Sequence, residues 1–275
     1  MRERVEALAI GAVLLAAVFW PLERLFSARA GQKWLRPRFV TDLAFMAGQY
    51  LVWSAVALFL LLQVNHALDA VIPAGFRVSV SEWPYVLQAI LVVALGDVSV
   101  YWFHYACHRV PWLWRFHSIH HSARHLDWLA AHREHPVDGV LTQLAINLPA
   151  MILGVDLALL AWLVAFRGLW AIFIHSNVRI PLGPLRPLFG APELHHWHHL
   201  ETKETKHNFA NLAPWTDLLF GTYHRPPDGE ESWPLGNPGE EDRTYWQHLV
   251  SPFKRTKAEG SGDAVTSNVT PTARG

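Results

Sequence analysis

Long apolar runs alternate with short polar, arginine-bearing segments along most of the chain. Leu43–Leu62 extends for 20 residues without a charge, enough for a helix to cross a hydrocarbon core about 30 Å thick. Ala7–Leu22 is a shorter uncharged run preceded by Arg2 and Arg4. Those arginines would suit a signal peptide, but Trp20-Pro21-Leu22-Glu23-Arg24 offers no small-residue cleavage site, so a retained first span is expected. A third run, Pro84–Phe103, is interrupted only by Asp97. The fourth, from Gly139 to Ile174, is broken by Gly154, Asp156 and Arg167. Its length and its breaks predict two helices packed as a hairpin, crossing the bilayer fully or in part. From about residue 259 the chain turns to Gly, Ser and Thr, which predicts disorder. No internal repeat is visible.

Charge placement orients these spans. The segment between the first two carries Arg24, Arg29, Lys33, Arg36 and Arg38, whereas the loop from Gln63 to Trp83 carries only Arg77. The positive-inside rule puts the first loop in the cytoplasm and delivers everything after Phe103 to the same side. Trp112, Trp114 and Trp128 then suit an interfacial aromatic belt. Composition agrees with a membrane protein: charged residues make up 17% of the 275, and mean hydropathy is +0.13. Twenty-three Lys and Arg balance 23 Asp and Glu, which removes any case for a broadly basic nucleic-acid surface. A lone Cys107 excludes an internal disulfide framework and a cysteine-rich zinc fold.

The polar residue in excess is histidine, with 17 copies. Most fall in two stretches, His104–His135 and His195–His199. His104 and His108 form an i,i+4 pair at the end of the third span. His117, His120 and His121 follow at i, i+3 and i+4, and His195, His198 and His199 repeat that spacing after the hairpin. Such spacings put the rings on one helical face. One HxxxH arises easily by chance; two HxxHH sets beside apolar span ends do not. Imidazole ligands without thiolate suit iron, copper, zinc or nickel. Eight nitrogen donors exceed the needs of one ion, so two metals are expected.

The run Asp97–Ser122, DVSVYWFHYACHRVPWLWRFHSIHHS, resembles the signature of the fatty acid hydroxylase/sterol desaturase superfamily. So do Arg133-Glu-His135-Pro136, His175-Ser-Asn177, Pro192-Glu-Leu-His195-His-Trp-His198-His199, Asn208-Phe209-Ala210 and WTDLLFGTY from Trp215 to Tyr223. The likeness runs in order from about Val92 to Tyr223; the two N-terminal spans match in character alone. It implies an all-α, polytopic membrane helical bundle with a cytoplasmic, histidine-rich di-metal cap. It also implies a non-haem di-iron centre that uses O₂ and two electrons to oxidise an unactivated lipid C–H bond, giving an alcohol or an alkene. Carried over residue by residue, the ligand set is His104, His108, His117, His120, His121, His195, His198 and His199. His175, at the end of the hairpin, is a further candidate ligand, and His135 a weaker one. His196 occupies a variable position within its cluster, and His125, His132 and His207 lie off the pattern. His66, His224 and His248 read as ordinary loop or tail histidines.

Acids near the ligands complete the expectation. Asp97 lies seven residues before His104, inside a span where a charge is costly and commonly functional. It either orients a ligand imidazole by accepting its second N–H or serves as a polar link between spans. Asp127, Asp138, Asn208 and Arg133 are further candidate partners of the ligands. Three organisational segments follow: 1–83 with the N-terminal spans, 84–225 as the hydroxylase-like catalytic part, and 226–275 as a tail. No GxSxG, Walker or GxGxxG motif is present, and no fused reductase domain is expected. Electrons are expected from a separate ferredoxin or cytochrome-type donor, and the substrate is expected to be a membrane lipid: a sterol, a fatty acyl chain, an alkylglycerol or a lipid head group. The main alternative is a membrane metal-binding or transport protein, which predicts ligands spread along a path within the spans. A zinc hydrolase would need the HExxH spacing, which Glu134 lacks.

Overall fold

The computed structural model describes residues 2–180, 182–201, 207–229, 231–237, 240 and 242–254. The tail expected to be disordered from about residue 259 lies outside them. The described residues form an all-helical protein with no strand beyond two isolated bridges, Ser27 to Val178 and Leu200 to Leu235. Among the described residues, five helices are long and apolar enough to cross a membrane: Arg2–Leu25, Phe39–Asp69, Tyr85–Cys107, Pro136–Leu153 and Ala158–His175.

The first, α1 (Arg2–Leu25), buries only Phe19 and leaves Val13 and Leu14 exposed, as expected of a helix whose solvent is lipid. Phe39–Asp69 is one rod, made of α2 (Phe39–Gly48), a π-helical turn at Gln49–Trp53 and α3 (Ser54–Asp69). A short α4 (Ala74–Ser81) leads to α5 (Tyr85–Cys107), which packs chiefly against α7 (Pro136–Leu153). Between them lies α6 (Pro111–His117), begun by a proline at its first position, where no backbone donor is lost.

The hairpin expected between Gly139 and Ile174 is α7 followed by α8 (Leu157–His175). Both breaks do what their chemistry suggests. Gly154 ends α7 in the left-handed region at φ 68°, a conformation that costs glycine little. The Asp156 side chain then caps α8, accepting from the amides of Ala158 and Leu159. Each helix has span length and composition.

Beyond α8, the short helices α9 (Pro192–His198), α10 (Trp215–Phe220) and α11 (Tyr245–Val250) join α6 and two 3₁₀ turns in a cap. The cap is tied to the spans by buried ion pairs. Arg36 meets Asp127 through two 2.6 Å bonds and Asp42 through a third, and Arg133 donates to the other Asp42 oxygen at 2.5 Å. Each of these four charges has a partner, the condition under which buried ions are tolerated. Inside the bilayer region Arg167 of α8 donates to Asp97 of α5 at 2.8 Å and to the Val93 carbonyl at 2.9 Å. Asp97 also accepts from the Trp215 indole at 3.1 Å.

Candidate metal centre

The cap-side ends of α5, α6, α8 and α9 contribute imidazoles. His104 closes the last turn of α5 and His108 caps it; His117 ends α6; His120 and His121 sit in the 3₁₀ turn that follows. His175 is the last residue of α8, and His195, His198 and His199 come from α9 and its cap. These nine converge as two groups, His104, His108, His117, His121 and His198 in one, and His120, His175, His195 and His199 in the other. Within each group one nitrogen per ring lies within 4.8 Å of the rest. The groups share a wall, where the His121 and His199 rings stack at 4.3 Å.

Five of the rings have their Nδ1 tied to an oxygen. His104 donates to the Phe209 carbonyl (2.9 Å), His117 to Asp138 Oδ2 (2.9 Å) and His198 to the His207 carbonyl (2.8 Å). His120 donates to the Arg133 carbonyl (3.1 Å) and His175 to the Ala171 carbonyl (2.6 Å). A carbonyl or carboxylate oxygen only accepts, so the proton sits on Nδ1 and Nε2 is left with a lone pair. In the five-membered group the Nε2 atoms of His104, His117, His121 and His198 are buried without a hydrogen-bond partner. In the four-membered group two lone pairs meet: His120 Nε2 lies 3.0 Å from His175 Nε2, and His195 Nε2 lies 2.9 Å from that same atom. Two imidazole acceptors at that distance repel unless a cation sits between them or beside them. The residues therefore fit metal ions, and neutral imidazole is the form that binds them.

Burial enforces that neutral form. It pushes His108, His120, His121, His195 and His199 well below the usual histidine range, helped by neighbouring rings, and His198 down to about 3.

The structure also shows where the other expected residues lie. His135 is outside both groups: its Nδ1 accepts from the Val137 amide as the N-cap of α7, and its Nε2 donates to the Leu249 carbonyl. Both ring nitrogens are occupied, which takes His135 away from a metal. Asp97 touches no imidazole; its partners are Arg167 and Trp215, the polar link between spans. Asp127 holds Arg36 and caps the turn at Leu129 and Ala130. Asn208 bonds Leu194 and His224 through its amide, pinning the loop that carries the His207 and Phe209 carbonyls to α9. Arg133 reaches His120 through its backbone carbonyl, while its guanidinium serves Asp42. Of the acids, Asp138 meets a candidate ligand directly.

Two residues carry more than the sequence suggested. Asp217 accepts from the Phe209 and Ala210 amides, both at 2.8 Å, and from Thr222 at 2.7 Å. It thereby fixes the carbonyl that orients His104. The available signal was an acid inside the apolar run WTDLLF. His248, read as an ordinary tail histidine, is fully buried beside Phe45. His196 belongs to neither group and pairs with Glu231 at 2.7 Å.

A chamber of about 190 Å³ touches both groups and is lined by His104, His117, His120, His175 and His195. An apolar groove of about 650 Å³ adjoins it, walled by α3, α7 and α8. Gln49, Glu134, Gln143 and Val164 line both.

Comparison with known proteins agrees for the central part of the chain. Residues 89–222 match the fatty acid hydroxylase family model. They form a fatty acid hydroxylase domain. An ornithine lipid hydroxylase, OlsE of Rhizobium tropici, is 32% identical over 176 residues, which is 63% of this chain and 53% of that protein. A Delta(7)-sterol-C5(6)-desaturase of Nicotiana tabacum is 24% identical over 54% of this chain and 55% of its own length. Methylsterol monooxygenase 1 of Danio rerio is 29% identical over 51% of this chain and 48% of its own. The chain thus spans about half the length of the curated relatives it matches. No solved structure matches it. The hydroxylase domain contains His104 to His199, hence every member of both histidine groups.

Proposed function

We propose that this chain is a membrane-bound non-haem di-iron oxidoreductase that uses O₂ and two electrons to hydroxylate or desaturate a C–H bond of a lipid. One observation carries the reading: nine imidazoles form two buried groups whose unprotonated nitrogens face one another beside an apolar groove. The family and its lipid-oxidising relatives support the choice of iron and oxygen over zinc and water.

His104, His108, His117, His121 and His198 would hold one iron, and His120, His175, His195 and His199 the other. When bound, the irons supply the one-electron chemistry by which O₂ attacks an unactivated C–H bond. The chain does the rest. Phe209, His207, Arg133 and Ala171 fix ring orientation through their carbonyls, and Asp138 does so through its carboxylate, so little reorganisation remains when metal binds. Burial keeps the rings neutral and excludes bulk water from the chamber. The groove lets an acyl or sterol body reach the chamber from within the bilayer. Electrons come from a separate ferredoxin or cytochrome-type partner, and the cap faces the cytoplasm, where such donors reside.

The test uses protein purified in lipid nanodiscs. Expected are about two irons per chain and, with O₂ and a reducing partner, membrane lipids heavier by one oxygen or lighter by two hydrogens. His120→Ala should lose both signals. Full lipid oxidation by iron-free protein would overturn the proposal.

A further inference from the structure

Where the chamber and the groove adjoin, the lining stops being apolar. Glu134, Gln49 and Gln143 line both cavities, and His132 and Tyr50 face the chamber side. Two atoms there are buried without a hydrogen-bond partner, Nε2 of His132 and Oε1 of Gln49, and His132 is only 5% exposed. Buried polar atoms left unmatched are uncommon and call for a partner that the fold itself does not supply. Three further features shape the same spot. The π-helical turn begins at Gln49, and such turns commonly re-aim side chains at functional places. The Glu134 carboxyl is bonded by Thr142 from α7. A Cβ on Gly139 would come within 2.7 Å of Glu134 Oε2, so α7 is cut away where that carboxyl lies.

We propose that Gln49, His132 and Glu134 form a polar subsite that grips an N–H or O–H donor on the lipid substrate. Gln49 Oε1 and the Glu134 carboxyl supply acceptors, and His132 supplies the third polar contact. The subsite rests on the lipid-oxidising reading given above and narrows it. Because these groups line the chamber that holds the histidines, the carbon oxidised lies close to the donor, not far along an unmarked chain. An amide N–H and a sterol hydroxyl share this chemistry; a plain ester or a hydrocarbon lacks it.

The full chain in detergent micelles, loaded with iron, is equilibrated with three labelled probes: N-palmitoylglycine methyl ester, its O-linked glycolate counterpart, and cholesterol. Retained probe is then counted. At least one donor-bearing probe should bind about three- to tenfold more tightly than the glycolate ester, the range expected for one hydrogen bond to an otherwise unmatched group. Which one wins distinguishes an amide lipid from a sterol. Gln49→Leu should erase the preference while keeping iron content and glycolate binding. Gly139→Ala, which displaces the Glu134 carboxyl without altering any polar group, should weaken it. Equal binding of all three probes, or a preference that survives Gln49→Leu, overturns the subsite. Failure of the wider reading looks different: a probe preference in protein that holds no iron and oxidises no lipid leaves the subsite standing and removes the oxygenase.

Discussion

The two histidine groups are built by different means. In the five-membered group, three rings are tethered through Nδ1 to oxygens brought from elsewhere in the chain, and Nε2 of His104, His117, His121 and His198 has no hydrogen-bond partner. In the four-membered group, two rings are tethered, but Nδ1 of His195 and of His199 is buried and unmatched, and the Nε2 atoms crowd to 2.9–3.1 Å. The first is preorganised and has an imidazole to spare. The second has fewer ligands, and in it the Nε2 lone pairs of His120 and His175 meet head-on, so its form depends on the cation it encloses.

That contrast can be broken most forcefully by deleting one imidazole from each side. His199→Ala should abolish lipid oxidation, by at least about a thousandfold, since the three remaining imidazoles hold the metal more weakly and in altered geometry, and a lost ligand exceeds the 10- to 100-fold typical of an outer partner. His121→Ala leaves four rings in its group and should retain more iron, read by metal analysis of the two proteins. Equal losses would erase the distinction.

Asp138→Asn comes next. It removes the carboxylate that orients His117 and should weaken metal binding about 10- to 100-fold in the five-membered group alone. A titration with cobalt, followed by its visible bands, would show one weakened and one unchanged site.

Acidification acts on both metal-free groups together. The folded protein holds His198 down to about 3, and His120, His121, His195 and His199 well below 6.5. Unfolded histidines titrate near 6.5, so between there and about 3 the unfolded chain binds more protons and stability falls with falling pH. Metal-stripped protein should therefore lose its cap progressively below about pH 6.5, as followed by tryptophan fluorescence. Bound metal should shift that loss to lower pH, because protons must then compete with the ions.

The smallest effect is expected at His135. His135→Ala removes a helix cap worth about 1 kcal/mol and should lower the melting temperature slightly while leaving iron content intact. Loss of iron would return His135 to the ligand set.

The spans and the histidine spacings were legible in the sequence because both are short-range patterns: uncharged runs of helical length, and rings three or four residues apart. The hairpin was legible for the same reason, since Gly154 and Asp156 act locally as stop and start. How the histidines sort was not. Each i,i+4 pair stays together (His104 with His108, His117 with His121, His195 with His199), while the i+3 members His120 and His198 cross to the opposite group. Positions i+3 and i+4 fall about 60° and 40° to opposite sides of position i, and which side meets which group depends on what faces the helix. The Asp97 partner was equally hidden, because Arg167 lies 70 residues away on another helix. Most of the tethers escaped notice because they are backbone oxygens, which every residue has.

That last property shapes how the site tolerates change. Positions 133, 171, 207 and 209 lend only a carbonyl to the rings, so substitutions there leave the oxygen in place, whereas inserting or deleting a residue moves it by more than a hydrogen bond can stretch. The surroundings of the centre are therefore free to drift in spelling while being held to a fixed count.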